Sequence, residues 1–419
     1  MINSFKINIE RLWFCVDILN NSNNMNNTMY KQIYLDNSAT TRPKKEVIEV
    51  MLPYLYDKWY NPSSLYKPSK EIKKDIENVK NKIAISIHAK PNEIFFTSGG
   101  SESNCMAIQG LAKSFNGYLY DRFDVITSRI EHNSILDNLA ESEFINSHYL
   151  NVNDKGVINL DKELSETVEN IHYYNGSDSP ILISIQYANN EIGTIQEIKS
   201  LKKYKRNKYI FTHTDAVQAF GQIPIDVKEL GIDMLSASGH KIGTPKGIGF
   251  LYINEEIQPL IKPLISGSQQ QGLRGGTENV PYIIALGKAV DLISYENKEL
   301  IKNRIYFENE LKKIGFRING SDYKLPNNIN ATYYSPPNNN FTNEALIYLL
   351  DMFGIYISSG SACNSSKIES SHVLKAIGLS DSDAMKTIRI TMPPDITKEK
   401  IDYVVKKIDE QIKIMNLDN

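Results

Sequence analysis

Two short segments carry residues that could do covalent chemistry. The first, SASGHKIGTPKGIGF at 236–250, sets Ser238, His240 and Lys241 side by side just ahead of two glycines. A lysine held on a strand-end loop among small hydrogen-bond donors suits a Schiff-base site whose neighbours grip a phosphate. The second, SSGSACNSS at 358–366, puts Cys363 among small polar residues with no apolar wall beside it. A buried structural thiol is the usual fate of a free cysteine. Here the flanks favour an accessible thiolate nucleophile, one able to travel and to gain acidity from neighbours such as Lys367 and His372.

Other segments add one polar residue each. FTHTDAVQ places Asp215 at a strand end, where a carboxylate could pair with a protonated pyridine nitrogen. FFTSGGSESN reads as strand, glycines and hydroxyls, then helix, so that Gly100, Ser101 and the helix N–H groups form a phosphate cradle. EHNSILD supplies His132, suited to stacking on a flat ring, and QYANNEIG supplies Asn190. Taken singly, each has a plainer reading as an N-cap, a packing residue or a surface lysine. Taken together, five strand ends with one suitable group apiece point to pyridoxal 5'-phosphate.

These residues need a scaffold that brings strand ends together. EIFFTS (93–98), DVITSR (124–129), PILISIQY (180–187), YIFTHTD (209–215) and DMLSAS (233–238) read as short buried strands. Between them, helices are expected at Ser69–Ile87, Ser101–Ser114, Asn133–Glu143, Ile195–Lys205 and Ala216–Phe220. This alternation predicts an α/β fold with a mostly parallel sheet and ligands at the carboxyl ends of its strands. Beyond GTENV (276–280) one long helix is expected from about Pro281 to Leu311. Short strands at FRING, NNINATYY, IYISSG and TIRIT follow, with helices at Asn343–Phe353, Ser371–Ile377 and Lys398–Met415, the pattern of a smaller α+β domain. The expected division is a disordered Asn-rich leader at 1–28, a large cofactor-binding domain at 29–285 and a small domain at 286–419 carrying the Cys363 loop. The N-terminal part of the large segment is expected to contribute to the small domain.

Composition excludes several classes. The 419 residues are 41% hydrophobic and carry 47 basic against 49 acidic side chains, a formal net charge of -2, so nothing global points to nucleic acid or a membrane surface. The longest apolar runs, such as IALGKAVDLI, are too short and too charged to span a bilayer. Cys15, Cys105 and Cys363 are odd in number, far apart and without metal-ligand spacing, which fits a reducing, cytoplasmic setting and no metal site.

In order along the chain, YLDNSATT (34–41), NPSSLY, FTSGGSESN, EHNSILD, NNEIG, DAVQ, SGHKI, GLRGGTENV, SSGSACNSS and SHVLKAIGL match one set of motifs. Over roughly residues 30–410 the chain resembles the cysteine desulfurases of the NifS/IscS group, within the fold-type I, class V aminotransferase-like enzymes. That resemblance implies a large domain with a mostly parallel seven-stranded sheet flanked by helices, a smaller α+β domain, and a homodimer. It implies that Lys241 binds pyridoxal 5'-phosphate, Asp215 pairs with the pyridine nitrogen, Gln218 and Asn190 lie by the phenolic oxygen, and His132 stacks on the ring and shares in catalysis. Ser101, Gly100, Ser238 and His240 would hold the phosphate, with Thr277 donated by the partner subunit. Arg389, with Asn37 and Asn190, would bind the substrate, its planar guanidinium gripping the carboxylate. Cys363 would take sulfur from L-cysteine as a persulfide, leaving alanine, and pass it to an acceptor protein, an iron–sulfur scaffold or a thiolation enzyme. A selenocysteine lyase, another class V enzyme, or a non-catalytic sulfur scaffold are the alternatives.

The chain departs from that family at SGSQQQG (266–272), at Gly243 and Thr244, at Tyr66, and at TMPP (391–394), where a second arginine is missing. None of these positions is one assigned to the chemistry.

Overall fold

The computed structural model describes residues 32–115, 123–334, 341–359 and 370–416. Cys363, Lys367, Cys15 and the 1–28 leader lie outside the described residues. The strands, in chain order, are β1 (Ile33–Tyr34), β2 (Ile94–Thr97), β3 (Phe123–Ser128), β4 (Ile145–Leu150), β5 (Ile181–Ser184), β6 (Ile210–Asp215), β7 (Met234–Ser238), β8 (Gly249–Ile253), β9 (Phe316–Ile318), β10 (Asn328–Tyr333), β11 (Ile355–Tyr356) and β12 (Thr387–Thr391).

Seven of them form one sheet in the order β2-β8-β7-β6-β5-β3-β4. Only β8 runs against its neighbours, β2 and β7; the other pairings are parallel. Its central strands are uninterrupted apolar runs because helices cover both faces: Val125 and Ile126, Leu182 and Ile183 are all fully buried. The amphipathic helix Lys67–Ser86 supplies part of one cover, burying Ile72, Ile76, Val79 and Ile83 at helical spacing. Because β2, β3, β5, β6 and β7 point the same way, the residues that follow them emerge along one edge.

The second assembly is an antiparallel sheet in the order β12-β10-β9, with the parallel pair β1-β11 alongside. The residues just past β1 reach the same ladder, since Asp36 bridges Thr391. Helices Lys298–Lys313, Asn343–Asp351 and Lys398–Asn416 supply buried Phe307, Leu346 and Ile408 to a core that also holds Ile388 and Ile390 of β12. Strand alternation then turns Arg389, between those two isoleucines, to the opposite side.

Three expected helices differ. The stretch expected as a helix at Ile195–Lys205 is a 3-10 helix at Ile198–Arg206, with Ile195 in a bridge to Ala188 instead. The single helix expected at Pro281–Leu311 is two, Val280–Asp291 and Lys298–Lys313. The apolar residues of the first, Ile283, Leu286 and Val290, pack under the large sheet. Leu300, Phe307 and Leu311 of the second pack in the other core, so one straight rod could not bury both stripes. Residues 216–220 form turns rather than a helix, with Ala219 and Phe220 N–H groups both bonded to Ala216 O. Strand β4, with polar Asn146, Ser147 and His148, lies at the sheet edge, and without its partner β3 its sequence carries little strand signal.

Truncating Phe307 to alanine, in the centre of the second core, is expected to cost about 3–5 kcal/mol. Urea unfolding of the two proteins side by side measures it.

Candidate active site

The aligned strand ends enclose a cavity of about 400 Å³, within the size range of small-molecule sites. Gly100, Ser101, His132, Asn190, Asp215, Gln218, Ser238, His240, Lys241 and Arg389 all line it. Ten residues drawn from six stretches of chain are thus brought to one wall or another of the same space.

Lys241 sits in a single helical turn directly after β7. Its ammonium donates to the carbonyls of Ser38 and Ala39, the latter at 2.9 Å, so the segment after β1 holds the amine in place. Gln218 Nε2 donates to the same Ser38 carbonyl at 3.1 Å. Beside the lysine, His240 Nδ1 lies 3.2 Å from Thr40 Oγ1. Burial, reinforced by the charges of Lys241 and Lys246, pushes the His240 pKa down to about 4, so its ring is neutral at neutral pH and can still donate an N–H.

Asp215 closes β6 and is 7% exposed. Its carboxylate accepts from Asn104 Nδ2 at 2.7 Å and from Val217 N at 2.9 Å. Asn104 also donates to Ser134 Oγ at 2.9 Å, and Ser134 N–H donates to His132 Nδ1 at 3.1 Å, so the Asp215 and His132 side chains are set by one chain of bonds. His132 is the N-cap of the helix Asn133–Ala140, a role that fixes its ring and does not exclude stacking.

The glycine step before the helix Gly100–Phe115 is a close fit. A Cβ on Gly100 would come within 2.5 Å of Val217 Cγ2, so only glycine lets the backbone pass here. The helix start is pinned from outside by Glu102, which accepts from Ser98 N at 2.7 Å and from Arg274 Nε at 2.8 Å.

Arg389 is nearly sealed from water at 2% exposure. Its Nη2 donates to Asp36 Oδ1 at 2.6 Å and its Nη1 to the Asn190 carbonyl at 3.3 Å.

Pyridoxal 5'-phosphate fits this donor set. The lining offers glycine backbone, the hydroxyls of Ser101 and Ser238 and a neutral imidazole suited to a phosphate, together with an amine and a buried carboxylate suited to a pyridinium. Asn104, also a lining residue, has its Oδ1 buried without a hydrogen-bond partner among the described residues, a further acceptor at the site.

Not every expected residue is here. Asn37 does not line the cavity; its Nδ2 donates to the Thr391 carbonyl at 3.0 Å. Thr277 is outside the cavity of its own chain, and Cys363 lies outside the described residues. Cys105, on the helix Gly100–Phe115, is half-buried, and burial raises its thiol pKa, which fits an unreactive thiol. Conversely, Ser38, Asn104, Ser134, Glu191 and His372 line the cavity without having been singled out for it. Asn104 was findable: it follows Ser101 by three residues and so lies on the same face of the helix.

Behind the wall sits Glu131, wholly buried. It accepts from Ser128 Oγ at 2.6 Å and from Gln186 N at 3.0 Å. Burial, with a smaller push from Asp215, raises its pKa from 4.5 to about 8 against those bonds.

A fold of this type with a lysine, an aspartate and a glycine cradle on one strand edge defines a fold-type I pyridoxal-phosphate protein. The model for the aminotransferase class-V family matches residues 33–404. A cysteine desulfurase IscS of Methanosarcina thermophila is 42% identical, over 93% of this chain and 94% of its own. One from Dictyoglomus turgidum is 40% identical over 93% and 97%. Among solved structures, a NifS-like protein aligns with a TM-score of 0.80 at 32% identity, over 91% of this chain and 100% of the other. Another, SspA in complex with cysteine, aligns with a TM-score of 0.75 at 36% identity, over 87% and 99%. The chain belongs to the class-V aminotransferase family and, within it, to the cysteine desulfurases.

Glu131 sets a pH signature on stability. The folded protein keeps that proton up to about pH 8, whereas the unfolded chain releases it near 4.5. Its contribution is therefore full below 4.5 and lost as pH rises through 8. In Glu131→Gln, which cannot ionise, the unfolding midpoint is expected to fall less between about pH 5 and about pH 8.5 than in the unaltered protein, read by thermal scans.

Proposed function

We propose that the cavity desulfurates L-cysteine to alanine, with the sulfur caught on Cys363 as a persulfide and then handed to an acceptor protein. The carrying observation is that both chain ends flanking residues 360–369 are bonded to the cavity wall. On the near side, Ser358 forms an antiparallel bridge with Arg389, N–H to carbonyl at 3.1 and 2.7 Å. On the far side, Ser371 Oγ donates to Glu191 Oε2 at 2.6 Å, and His372 Nε2 lies 2.9 Å from the Glu131 carbonyl. The described residues on either side of the Cys363 segment, Ser358 and Ser371, thus both stand at the cavity wall.

Pyridoxal 5'-phosphate, when bound, supplies an electron sink for charge developed on the substrate's carbons. The chain's own groups do the rest. Lys241 would be the amine that holds the cofactor. Asp215, held by Asn104, would pair with the pyridine nitrogen. Ser101, Gly100, Ser238 and His240 would hold the phosphate, His132 would stack on the ring, and Gln218 and Asn190 would bind the phenolic oxygen. Arg389 receives the substrate carboxylate; its burial strengthens that bond and fixes the substrate's orientation. The Cys363 thiolate attacks the substrate sulfur: an S–S bond forms, the Cβ–S bond breaks, and its electron pair stays with the fragment that takes up a proton to become alanine. The relative solved with cysteine bound supports cysteine as substrate.

A homodimer belongs to this reading, because Thr277 lies away from its own cavity and would serve a partner's. Leu55, Tyr56, Trp59 and Leu65, between 56% and 87% exposed, give such a dimer an apolar surface to cover. Among the described residues, no helix is long and apolar enough to cross a membrane and no cluster could hold a metal. We place the enzyme in the cytoplasm, where a free thiol persists, with an iron–sulfur scaffold or a thiolation enzyme as acceptor.

Cys363→Ala is expected to keep the visible absorbance of the lysine-bound cofactor and to lose both persulfide and alanine when cysteine is added. Undiminished alanine release from that variant would refute the role given to Cys363.

A further inference from the structure

His372 is the cavity-lining imidazole that the reaction as described above leaves unused. It opens the helix His372–Ala376, whose N-cap Ser371 accepts from Leu374 N at 3.2 Å while donating to Glu191. Two bonds, Ser371 to Glu191 and His372 to Glu131, therefore fix where this ring stands. The second also fixes its tautomer. A carbonyl oxygen can only accept, so the 2.9 Å contact with Glu131 O places the hydrogen on Nε2 and leaves Nδ1 as the accepting nitrogen. The other cavity imidazoles differ. His132 has its Nδ1 taken by the Ser134 N–H, and His240 stands beside Lys241, where protonation is disfavoured.

The peptide whose carbonyl holds His372 is the one that leads into His132, so a single peptide unit sets both rings. Glu191 meets the His372 helix through Ser371, and Arg389, Lys241 and Asp215 line the same cavity; the Glu131 carboxyl lies behind the wall on Ser128 and Gln186, its backbone carbonyl alone reaching His372. On its outer side Lys375 pairs with Asp381 of the next turn at 3.0 Å.

We infer that Nδ1 of His372 takes the sulfhydryl proton of the substrate cysteine as its sulfur is transferred. The step balances. The enzyme thiolate bonds to the substrate sulfur, the Cβ–S bond breaks with its pair left on carbon, and the proton from that sulfur moves to Nδ1. Sulfur is oxidised to the persulfide level while the carbon it leaves is reduced to a methyl group. This assignment rests on the desulfurase reading.

The test is His372→Gln, whose amide keeps a donor for the Glu131 carbonyl. At neutral pH, alanine release from cysteine is expected to fall about 100-fold, the lower range for loss of a proton-transfer group. It should recover as pH rises past the ordinary thiol pKa of about 8.5. Selenocysteine, whose selenol is already ionised at neutral pH, should be turned over nearly as fast by the variant as by the unaltered enzyme. Two readouts are independent of turnover: the change in cofactor absorbance as cysteine binds should be unaltered, and ring-nitrogen NMR of the unaltered protein should show hydrogen on Nε2. An equal loss for both substrates at every pH would mean that His372 only supports the fold, and no loss at all would remove it from the reaction; either overturns the proposal. Unaltered enzyme that releases no alanine from cysteine would instead overturn the desulfurase reading, and this assignment with it.

Discussion

The buried guanidinium of Arg389 is the constraint around which the two halves of the structure are arranged. A charge withdrawn this far from water must be paired, because an unpaired one would cost several kcal/mol. The guanidinium's partners come from two directions: Asp36 just past β1 and the Asn190 carbonyl from the loop after β5. Satisfying that charge ties the N-terminal segment to the large sheet, and the backbone of the same residue bridges Ser358, so three segments meet at one position. The geometry is not a by-product of apolar packing, since Ile388 and Ile390 on either side of Arg389 pack the other way.

Polar groups elsewhere in the interior follow the same logic with different outcomes. His213, in the middle of β6, is bracketed by Ser184 Oγ and Ser236 Oγ at 2.9 Å each, and burial drives its pKa down to about 3, so it stays neutral. Glu131 also avoids charge, by holding its proton. Arg389 instead has a carboxylate partner, and Lys241 Nζ donates to two carbonyls. The cavity is thus a place where neutral and charged groups have been sorted by burial and by neighbours rather than by residue type alone.

The departures from the family's motifs have local explanations. Gln270 both accepts from Phe96 N at 2.6 Å and donates to Phe96 O at 2.9 Å, closing the open edge of β2 as a short strand would. The acidic residue it replaces could only accept. Gly243 adopts a φ of +92°, a left-handed conformation that favours glycine, while the Thr244 hydroxyl bonds to the Pro245 carbonyl. Met392, in the TMPP segment, is fully buried in the second core, and nothing in the structure explains the missing arginine two residues on. Tyr66 is half-exposed, and nothing in the structure explains it.

Much of the site was readable before any coordinates, because strand ends, glycines and N-caps are local signals. SGHKI, DAVQ and SGGSESN each sit beside a strand whose apolar run is plain, and a parallel sheet leaves its strand ends no other edge to share. The long-range facts were not readable. That Asp36 pairs with Arg389, that Ser38 and Ala39 hold Lys241, and that His372 meets the Glu131 carbonyl depends on segments 200 residues or more apart, or on a helix that changes cores at 292–297. By itself the sequence determined which residue types were available and which strand each followed, because backbone propensity acts over a few residues. Only the tertiary structure decided which of them share a cavity, which are buried and which imidazole nitrogen meets a carbonyl, because burial and hydrogen-bond partners are set by neighbours distant in the chain.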